Sequence, residues 1–245
     1  MARGRRLDLE VVERGLAPSR ARAQALIMAG KVSVDGTVVT KAGTAVSADA
    51  AVTLSEPDHP WVSRGGLKLV AALDAFDVDP AGLDCLDVGA STGGFTDVLL
   101  ARGARRVIAL DVGRGQLDWR LRTDDRVVVV EGVNARHLGA DDLPFAVGLA
   151  TVDVSFISLT LVVPSLVPHL EPGGRLVCLV KPQFEAGREQ VSTGGIVRDE
   201  SVRRAVIDRV VAELCGLGLE LVGVVPSPVE GQKGNREELA VFRRP

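Results

Sequence analysis

The sequence predicts an α/β fold in which helices cover both faces of a mostly parallel sheet, preceded by a small α/β module. From residue 83 onward, apolar strand patterns alternate with helical patterns, as is typical of parallel sheets. The predicted strands end near Val88, Leu110, Val130, Val152, Val180 and Val225. A last segment, 238–242, follows after a connection too short for a crossover helix, so we expect it to pair antiparallel.

A glycine-rich turn joins the first strand of this sheet to its first helix. Asp87 stands near the end of the strand, and glycines follow at positions 89, 93 and 94. Glycines let a ligand approach the backbone, and a helix N-terminus offers free N–H groups. The spacing matches neither a P-loop nor the G-x-G-x-x-G turn of dinucleotide-binding proteins, which disfavours an NAD-dependent dehydrogenase.

The acid at this turn indicates the kind of ligand. A carboxylate at Asp87 would repel a pyrophosphate but could hold an ammonium group. S-adenosylmethionine (SAM) carries an amino-acid end and a sulfonium, so we predict that SAM binds here. A glycine-rich turn without a ligand is the alternative. The predicted contacts come from Asp87, Gly89, Ser91, Thr92, Gly93 and Gly94.

Two further polar residues follow the next strands of the sheet. Asp111 ends the second strand, about where an acid accepts hydrogen bonds from ribose hydroxyls in doubly wound folds. Asn134 follows the third strand, where this fold often contacts adenine. We predict that both bind the cofactor; the alternatives are a turn-capping aspartate and an ordinary turn asparagine.

Composition excludes several classes of protein. The 245 residues carry a net charge of −3, so any surface for nucleic acid must be local. Cys85, Cys178 and Cys215 lie in apolar segments without metal-ligand spacing, which predicts buried reduced thiols and no metal. Tyrosine is absent, which disfavours extensive base stacking. No apolar stretch follows the basic first residues, and no apolar run reaches about 18 residues, so we expect a cytoplasmic protein without a leader or a membrane span.

The first 55 residues combine basic side chains with two helices and three short strands. The first helix ends at Gly15, the second is capped by Ser19, and strands are predicted at 32–34, 38–39 and 51–54. The module resembles the S4 RNA-binding domain in Arg6-Leu7-Asp8, Ser19-Arg20, Gly30-Lys31-Val32 and Val34-Asp35-Gly36. A solvated helix face is the alternative for its charges. The resemblance predicts RNA contacts from Arg3, Arg5, Arg6, Arg20, Arg22, Lys31 and Lys41.

The predicted topology brings two lysines and two carboxylates to one edge of the sheet. Asp153 and Lys181 follow the fourth and fifth strands. Glu237 precedes the antiparallel last strand, and Lys68 precedes the first strand. Ligands in open α/β sheets bind beyond the carboxyl ends of the strands, so these side chains should converge there. Taken singly, each could instead be a strand end, a helix cap or a solvated charge.

These side chains match the Lys-Asp-Lys-Glu tetrad of FtsJ-like ribose 2′-O-methyltransferases. The resemblance makes Lys68, Asp153, Lys181 and Glu237 the predicted catalytic residues; Glu238 competes for the last place, but the Gly-Asn-x-Glu spacing favours Glu237. With its S4-like module, the chain resembles the TlyA (haemolysin A-like) family over nearly its full length, and the family motifs are matched closely at residues 63–69, 90–96, 154–158 and 180–185. It departs from some relatives at His59, where they carry an arginine.

The resemblance implies a domain organisation and a reaction. We predict an S4 domain at 1–55, a linker at 56–62 and a methyltransferase domain at 63–245. The implied reaction methylates a cytidine ribose 2′-hydroxyl of 16S or 23S ribosomal RNA, with SAM as donor and ribosomal RNA or ribosomal subunits as partner. A lysine would steer or deprotonate the hydroxyl, and the carboxylates would orient the lysines. A non-catalytic RNA-binding protein and a membrane-active haemolysin are the alternatives, and the oligomeric state is open.

Overall fold

A computed structural model describes residues 4–55, 59–139, 141–231 and 234–245 of the chain. The chain divides into two compact units, Met1–Pro60 and Trp61–Pro245. By this division Trp61 and Val62, which we assigned to the linker, belong to the second unit. Residues 56–58 of the predicted linker lie outside the described residues.

The first unit packs two short helices on small antiparallel sheets. Its elements are β1 (Arg5–Arg6), α1 (Leu7–Glu13), α2 (Arg20–Met28), β2 (Val32–Val34), β3 (Thr37–Val38), β4 (Ala45–Val46) and β5 (Val52–Leu54). Strands β3, β2 and β5 form one sheet in that order, and β1 pairs with β4. The core consists of fully buried side chains that include Leu7, Val11, Ala23, Ile27 and Val32.

Local sequence explains the boundaries in this unit. Ser19 caps α2, because its side chain accepts a hydrogen bond from the Arg22 backbone N–H at 3.2 Å. Asp35 and Gly36 have φ angles of 48° and 79°, as a two-residue hairpin turn requires. Strand β3 begins directly after this turn, at Thr37, so it lies one residue earlier than the predicted strand at 38–39.

The second unit is built on a seven-stranded sheet with the order β11-β12-β10-β9-β6-β7-β8. All pairs between β10 and β8 in this order are parallel, whereas β12 pairs antiparallel with both β10 and β11. The predicted fold class, with its reversed last strand, is therefore confirmed. The strands are β6 (Asp84–Val88), β7 (Arg106–Asp111), β8 (Val127–Glu131), β9 (Val147–Val152), β10 (Leu170–Val180), β11 (Glu220–Pro226) and β12 (Glu238–Arg243).

Helices cover both faces of this sheet. They are α3 (Gly65–Ala75), α4 (Gly94–Ala101), α5 (Trp119–Arg122), α6 (Leu159–Leu166), α7 (Pro182–Glu185) and α8 (Glu200–Cys215), with single 3₁₀ turns at Ala135–His137, Val167–His169 and Arg188–Gln190. Leu86 in β6 packs in one cluster with α6 and α8, whereas its neighbour Cys85 packs in another with α3 and α4. Successive strand residues point to opposite faces, so each strand contributes to both cores. Within the described ranges, no helix is long and apolar enough to cross a bilayer.

The strand order creates a crevice at the middle of the sheet. Strand β6 lies between β7 and β9, so the chain continues to one side of β6 and later returns to its other side. The loops that leave the carboxyl ends of β6 and β9 therefore diverge. Such a topological switch point is where open α/β sheets bind ligands.

Candidate active site

A cavity of about 330 Å³ opens at this switch point. It is lined by the glycine turn after β6, the start of α3, and the ends of β9 and β10. All four side chains of the predicted tetrad line it: Lys68, Asp153, Lys181 and Glu237. Residues that are far apart in sequence thus meet in one cavity, as the predicted topology requires.

Lys181 and Asp153 form the first of two ion pairs in the cavity. The Lys181 Nζ lies 2.5 Å from Asp153 Oδ1 and donates a hydrogen bond to Ser155 Oγ at 2.9 Å. Lys181 follows β10 directly and is 9% exposed. A buried cation is costly unless it is paired and hydrogen-bonded, and Lys181 satisfies both conditions. Its ammonium is therefore held in one position at the end of the sheet.

Lys68 and Glu237 form the second ion pair. The Lys68 Nζ lies 2.5 Å from Glu237 Oε2, and Gln183 Nε2 donates to the other carboxylate oxygen at 3.1 Å. Lys68 stands in the first turn of α3, where the helix dipole disfavours a cation. Glu237 supplies the compensating charge from 169 positions away. The helix position of Lys68 is thus explained by its partner.

The structure separates Glu237 from its neighbour Glu238. Glu238 is the first residue of β12 and pairs with Arg203 of α8 at 2.5 Å, whereas Glu237 lines the cavity. Successive residues of an extended strand point to opposite sides, which accounts for the difference. Glu237 is therefore the carboxylate that completes the cluster.

The glycine turn forms one wall of the cavity through Gly89, Ser91, Thr92 and Gly94. Gly89 has a φ of 82°, and a Cβ at this position would overlap the backbone carbonyl of Asp153. The Asp153 N–H also donates to the Val88 carbonyl at 2.9 Å. Glycine at 89 is thus required for the loops after β6 and β9 to pack against each other.

Asp87 lies inside the protein at the base of this turn. Its side chain is fully buried and accepts hydrogen bonds from the Thr96 backbone N–H and hydroxyl at 2.9 Å and 2.7 Å. Thr151 Oγ1 donates to the other carboxylate oxygen at 3.3 Å. Burial raises the pKa of Asp87 to about 7, although the Thr96 hydrogen bonds act in the opposite direction. Asp87 lines the cavity and also fastens the N-terminus of α4 to β6.

This pKa predicts a pH dependence of stability. An aspartate in an unfolded chain has a pKa of about 4, so between about pH 4 and 7 the folded protein binds more protons at Asp87 than the unfolded protein. The contribution of Asp87 to the free energy of unfolding should therefore decrease as the pH rises through this window. In urea denaturation at pH 5, 6 and 7, Asp87→Asn should lose less stability with rising pH than the wild type.

Asp124→Asn is the matched control for this measurement. Hydrogen bonds from Arg126 lower the pKa of Asp124. The contribution of Asp124 to the free energy of unfolding therefore changes only at pH values below the range that is tested. Its pH slope should equal that of the wild type. An Asp87→Asn slope equal to both would contradict the assignment of a raised pKa to Asp87.

Three predicted cofactor residues lie outside the described lining of the cavity: Gly93, Asp111 and Asn134. Asp111 accepts hydrogen bonds from the backbone N–H groups of Ser91 and Gly113 at 2.8 Å and 2.7 Å, which ties the glycine turn to the end of β7. Asn134 is exposed and caps a 3₁₀ turn by accepting from the Arg136 N–H. Their roles in binding SAM stay predictions.

Sequence reasoning missed two polar contacts and one exposed ring at the site. Ser155 lies two positions after Asp153 in the loop that follows β9, and Gln183 lies two positions after Lys181 in α7, so closeness in sequence to the tetrad is the signal that could have identified both. Phe156 has a φ of 63°, is 88% exposed at the cavity and lies 4.9 Å from the Phe184 ring. An exposed ring of this kind offers a face on which a nucleobase can stack.

The predicted RNA-binding residues of the first unit lie at its surface. Arg5, Arg6, Arg20, Arg22, Lys31 and Lys41 are all exposed, and Arg3 lies outside the described residues. Arg5 pairs with Glu13. Arg6 and Arg20 both pair with the buried Asp8. Several of these exposed basic side chains therefore form ion pairs with carboxylates of the same unit.

The fold and the cavity define an α/β methyltransferase domain that follows an S4 domain. Residues 61–244 match the FtsJ-like methyltransferase family, and residues 5–52 match the S4 domain. The chain belongs to the TlyA family of FtsJ-like methyltransferases.

The chain matches several relatives over nearly their full length. The chain is 51% identical to the Mycobacterium tuberculosis protein named 16S/23S rRNA (cytidine-2′-O)-methyltransferase TlyA, covering 97% of this chain and 89% of that protein. It is 41% identical to the protein named Hemolysin A of Brachyspira hyodysenteriae, covering 97% and 99%. A solved structure described as "Putative hemolysin from Streptococcus thermophilus" is 41% identical, with a TM-score of 0.77 over 100% of this chain and 90% of that chain.

Proposed function

We propose that the protein transfers a methyl group from SAM to the 2′-hydroxyl of a cytidine in ribosomal RNA. The observation that carries this proposal is the pair of partly buried Lys–carboxylate contacts, Lys181–Asp153 and Lys68–Glu237, in one cavity beside the glycine turn. The name of the Mycobacterium tuberculosis relative supports the choice of a cytidine ribose. The S4 match supports RNA as the partner, with ribosomal RNA or a ribosomal subunit as the substrate.

The residues of the cavity fit SAM. Its wall of glycine-turn backbone and the adjoining N-terminus of α4 suit a ligand with polar and charged groups, and Asp87 provides a carboxylate for a cationic amino-acid end. Asp111 and Asn134 would hold the ribose and adenine. When bound, SAM supplies an activated methyl group on its sulfonium.

The tetrad would prepare the ribose hydroxyl for attack. A ribose hydroxyl is a weak nucleophile, so a group that orients it or accepts its proton increases the rate. Lys181 would carry out this step at the hydroxyl, because Asp153 and Ser155 fix its Nζ. Glu237, which accepts a hydrogen bond from Gln183, would in turn hold Lys68, which keeps a second positive charge beside the substrate. Holding the reacting groups in line supplies the remaining rate increase.

The assignment of Asp111 to SAM gives a binding prediction. Asp111→Ala should weaken SAM binding by about 1–3 kcal/mol, the usual cost of leaving buried polar groups unpaired. Isothermal titration calorimetry with SAM measures this effect. Asp124→Ala is the matched control, because Asp124 pairs with Arg126 outside the cavity, and its SAM affinity should equal that of the wild type. Equal SAM affinity of Asp111→Ala and the wild type would refute the assignment.

Methyl transfer to ribosomal RNA tests the function itself. Unmodified 16S and 23S transcripts, or subunits that lack the modification, are incubated with the protein and SAM labelled on its methyl group. Digestion of the RNA to nucleosides should yield label in ribose-methylated cytidine. Label in a base would refute the ribose assignment, and binding of RNA and SAM without any transfer would favour the non-catalytic alternative.

A further inference from the structure

Asp8 is a fully buried carboxylate in the first unit, and three side chains converge on it. Arg6 binds it with two hydrogen bonds, from Nε to Oδ1 at 2.9 Å and from Nη2 to Oδ2 at 3.0 Å. Arg20 donates from Nε to Oδ2 at 3.0 Å, and Gln24 donates to the same oxygen at 2.8 Å. One buried anion thus joins arginines from β1 and α2.

The two arginines keep part of their side chains at the surface. The Arg6 and Arg20 side chains are 48% and 53% exposed, although their guanidinium groups meet at one oxygen atom of Asp8. Arg20 makes this contact through its Nε, so its two terminal nitrogens can donate to a further acceptor. The backbone of Gly43 packs beside Arg6, since a Cβ there would lie 3.2 Å from Nη1. The cluster holds two cations and one anion and therefore keeps one net positive charge.

We propose that Arg6 and Arg20 form a single binding site for one backbone phosphate of RNA, and that Asp8 is the positioning residue that builds it. The inference rests on the proposed RNA-binding role of the S4 domain. Arginine loses much side-chain freedom when it binds a phosphate, and a guanidinium that is already held loses less. Two guanidinium groups at one carboxylate oxygen are close enough to donate to the same phosphate.

Asp8 stays ionised throughout the neutral range. Hydrogen bonds from Arg6 in particular, together with those from Gln24 and Arg20, hold the pKa of Asp8 well below its usual range, although burial acts in the opposite direction. An asparagine at this position would place an amide N–H₂ group against arginine donors. Asp8→Asn should therefore release at least one of the two arginines.

The substitution Asp8→Asn separates positioning from simple electrostatics. It removes a negative charge, so electrostatics alone would make RNA binding tighter. A positioning role predicts weaker binding instead. Glu10→Gln is the matched control, because it makes the same charge change on the same helix. Arg14, the main partner of Glu10, also donates to the carbonyls of Ala48 and Ala50 and so stays in place.

The test measures binding of the full chain to an unmodified 23S ribosomal RNA transcript between about 50 and 200 mM salt. Asp8→Asn should bind about tenfold more weakly, with a salt slope reduced by roughly one phosphate contact. Glu10→Gln should bind as tightly as the wild type or more tightly. Both variants should keep wild-type SAM affinity. Asp8→Asn binding as tightly as Glu10→Gln, with the wild-type slope, would overturn the proposal.

A second set of variants keeps the test decisive if Asp8→Asn does not fold. Arg6→Ala and Arg20→Ala are compared with the double variant. A shared phosphate site predicts that the double variant loses much less affinity than the product of the two single fold-changes. A loss equal to that product would mean two independent contacts and would overturn the single site. Absence of salt-dependent RNA binding by the wild type would overturn both this proposal and the RNA-binding part of the proposed function.

Discussion

Lys181→Ala should reduce methyl transfer about 10²–10⁴-fold, the range that a positioned proton-transfer group contributes. Lys181 follows β10 directly and bonds both Asp153 and Ser155, so its removal takes away one of the two lysine cations that line the cavity. SAM and RNA affinities should stay nearly unchanged, because the proposed role of Lys181 is in the transition state. Single-turnover transfer, measured beside SAM titration and RNA binding, checks each part.

Lys181→Arg distinguishes the two possible roles of this lysine. An arginine keeps the positive charge and can donate hydrogen bonds, but it cannot accept a proton at ordinary pH. If Lys181 only orients the hydroxyl, Lys181→Arg should retain much more activity than Lys181→Ala. If Lys181 accepts the proton, both variants should be equally inactive. Full transfer activity in Lys181→Ala would contradict the tetrad assignment altogether.

Glu237→Gln should reduce transfer on the order of 10²-fold, because it leaves the partly buried Lys68 without its anion. Glu238→Gln is the matched control: it changes the adjacent residue by the same chemistry, but Glu238 pairs with Arg203 instead of lining the cavity. Its transfer rate should stay close to that of the wild type. Thermal unfolding of both variants separates lost activity from lost stability.

The effects of the two ion pairs should not add. If the four side chains act as a unit, Glu237→Gln should cost little further activity in a Lys181→Ala background. If the double variant instead loses activity by the product of the two single fold-losses, the ion pairs act independently. An equal loss in Glu237→Gln and Glu238→Gln would contradict the choice between these two glutamates.

The sheet could be predicted because its strands contain short apolar runs, each with a clear end. The reversed direction of β12 followed from the short connection after β11. Its insertion between β10 and β11 did not follow, since sequence alone does not say which strands a terminal strand pairs with. The convergence of the tetrad needed only strand direction, because side chains after parallel strands share one edge.

The sequence alone could not predict which lysine of the site pairs with which carboxylate. Nothing in it assigned Lys181 to Asp153 and Lys68 to Glu237, because the choice depends on distances across the cavity. Asp8 could be counted only as one acid among basic residues, yet it is fully buried and binds Arg6, Arg20 and Gln24. Asp87 was predicted as a ligand-facing carboxylate, and the structure adds its inward contacts with Thr96 and Thr151.

Alkaline hydrolysis of the product RNA tests the central claim most directly. A 2′-O-methyl group removes the hydroxyl that attacks the next phosphodiester bond, so cleavage there is blocked. Ribosomal RNA treated with the wild-type protein and SAM should give a hydrolysis ladder with a gap after a specific cytidine, and RNA treated with Lys181→Ala should give a continuous ladder. A wild-type product that carries the methyl label but is still cut at every nucleotide would contradict ribose methylation.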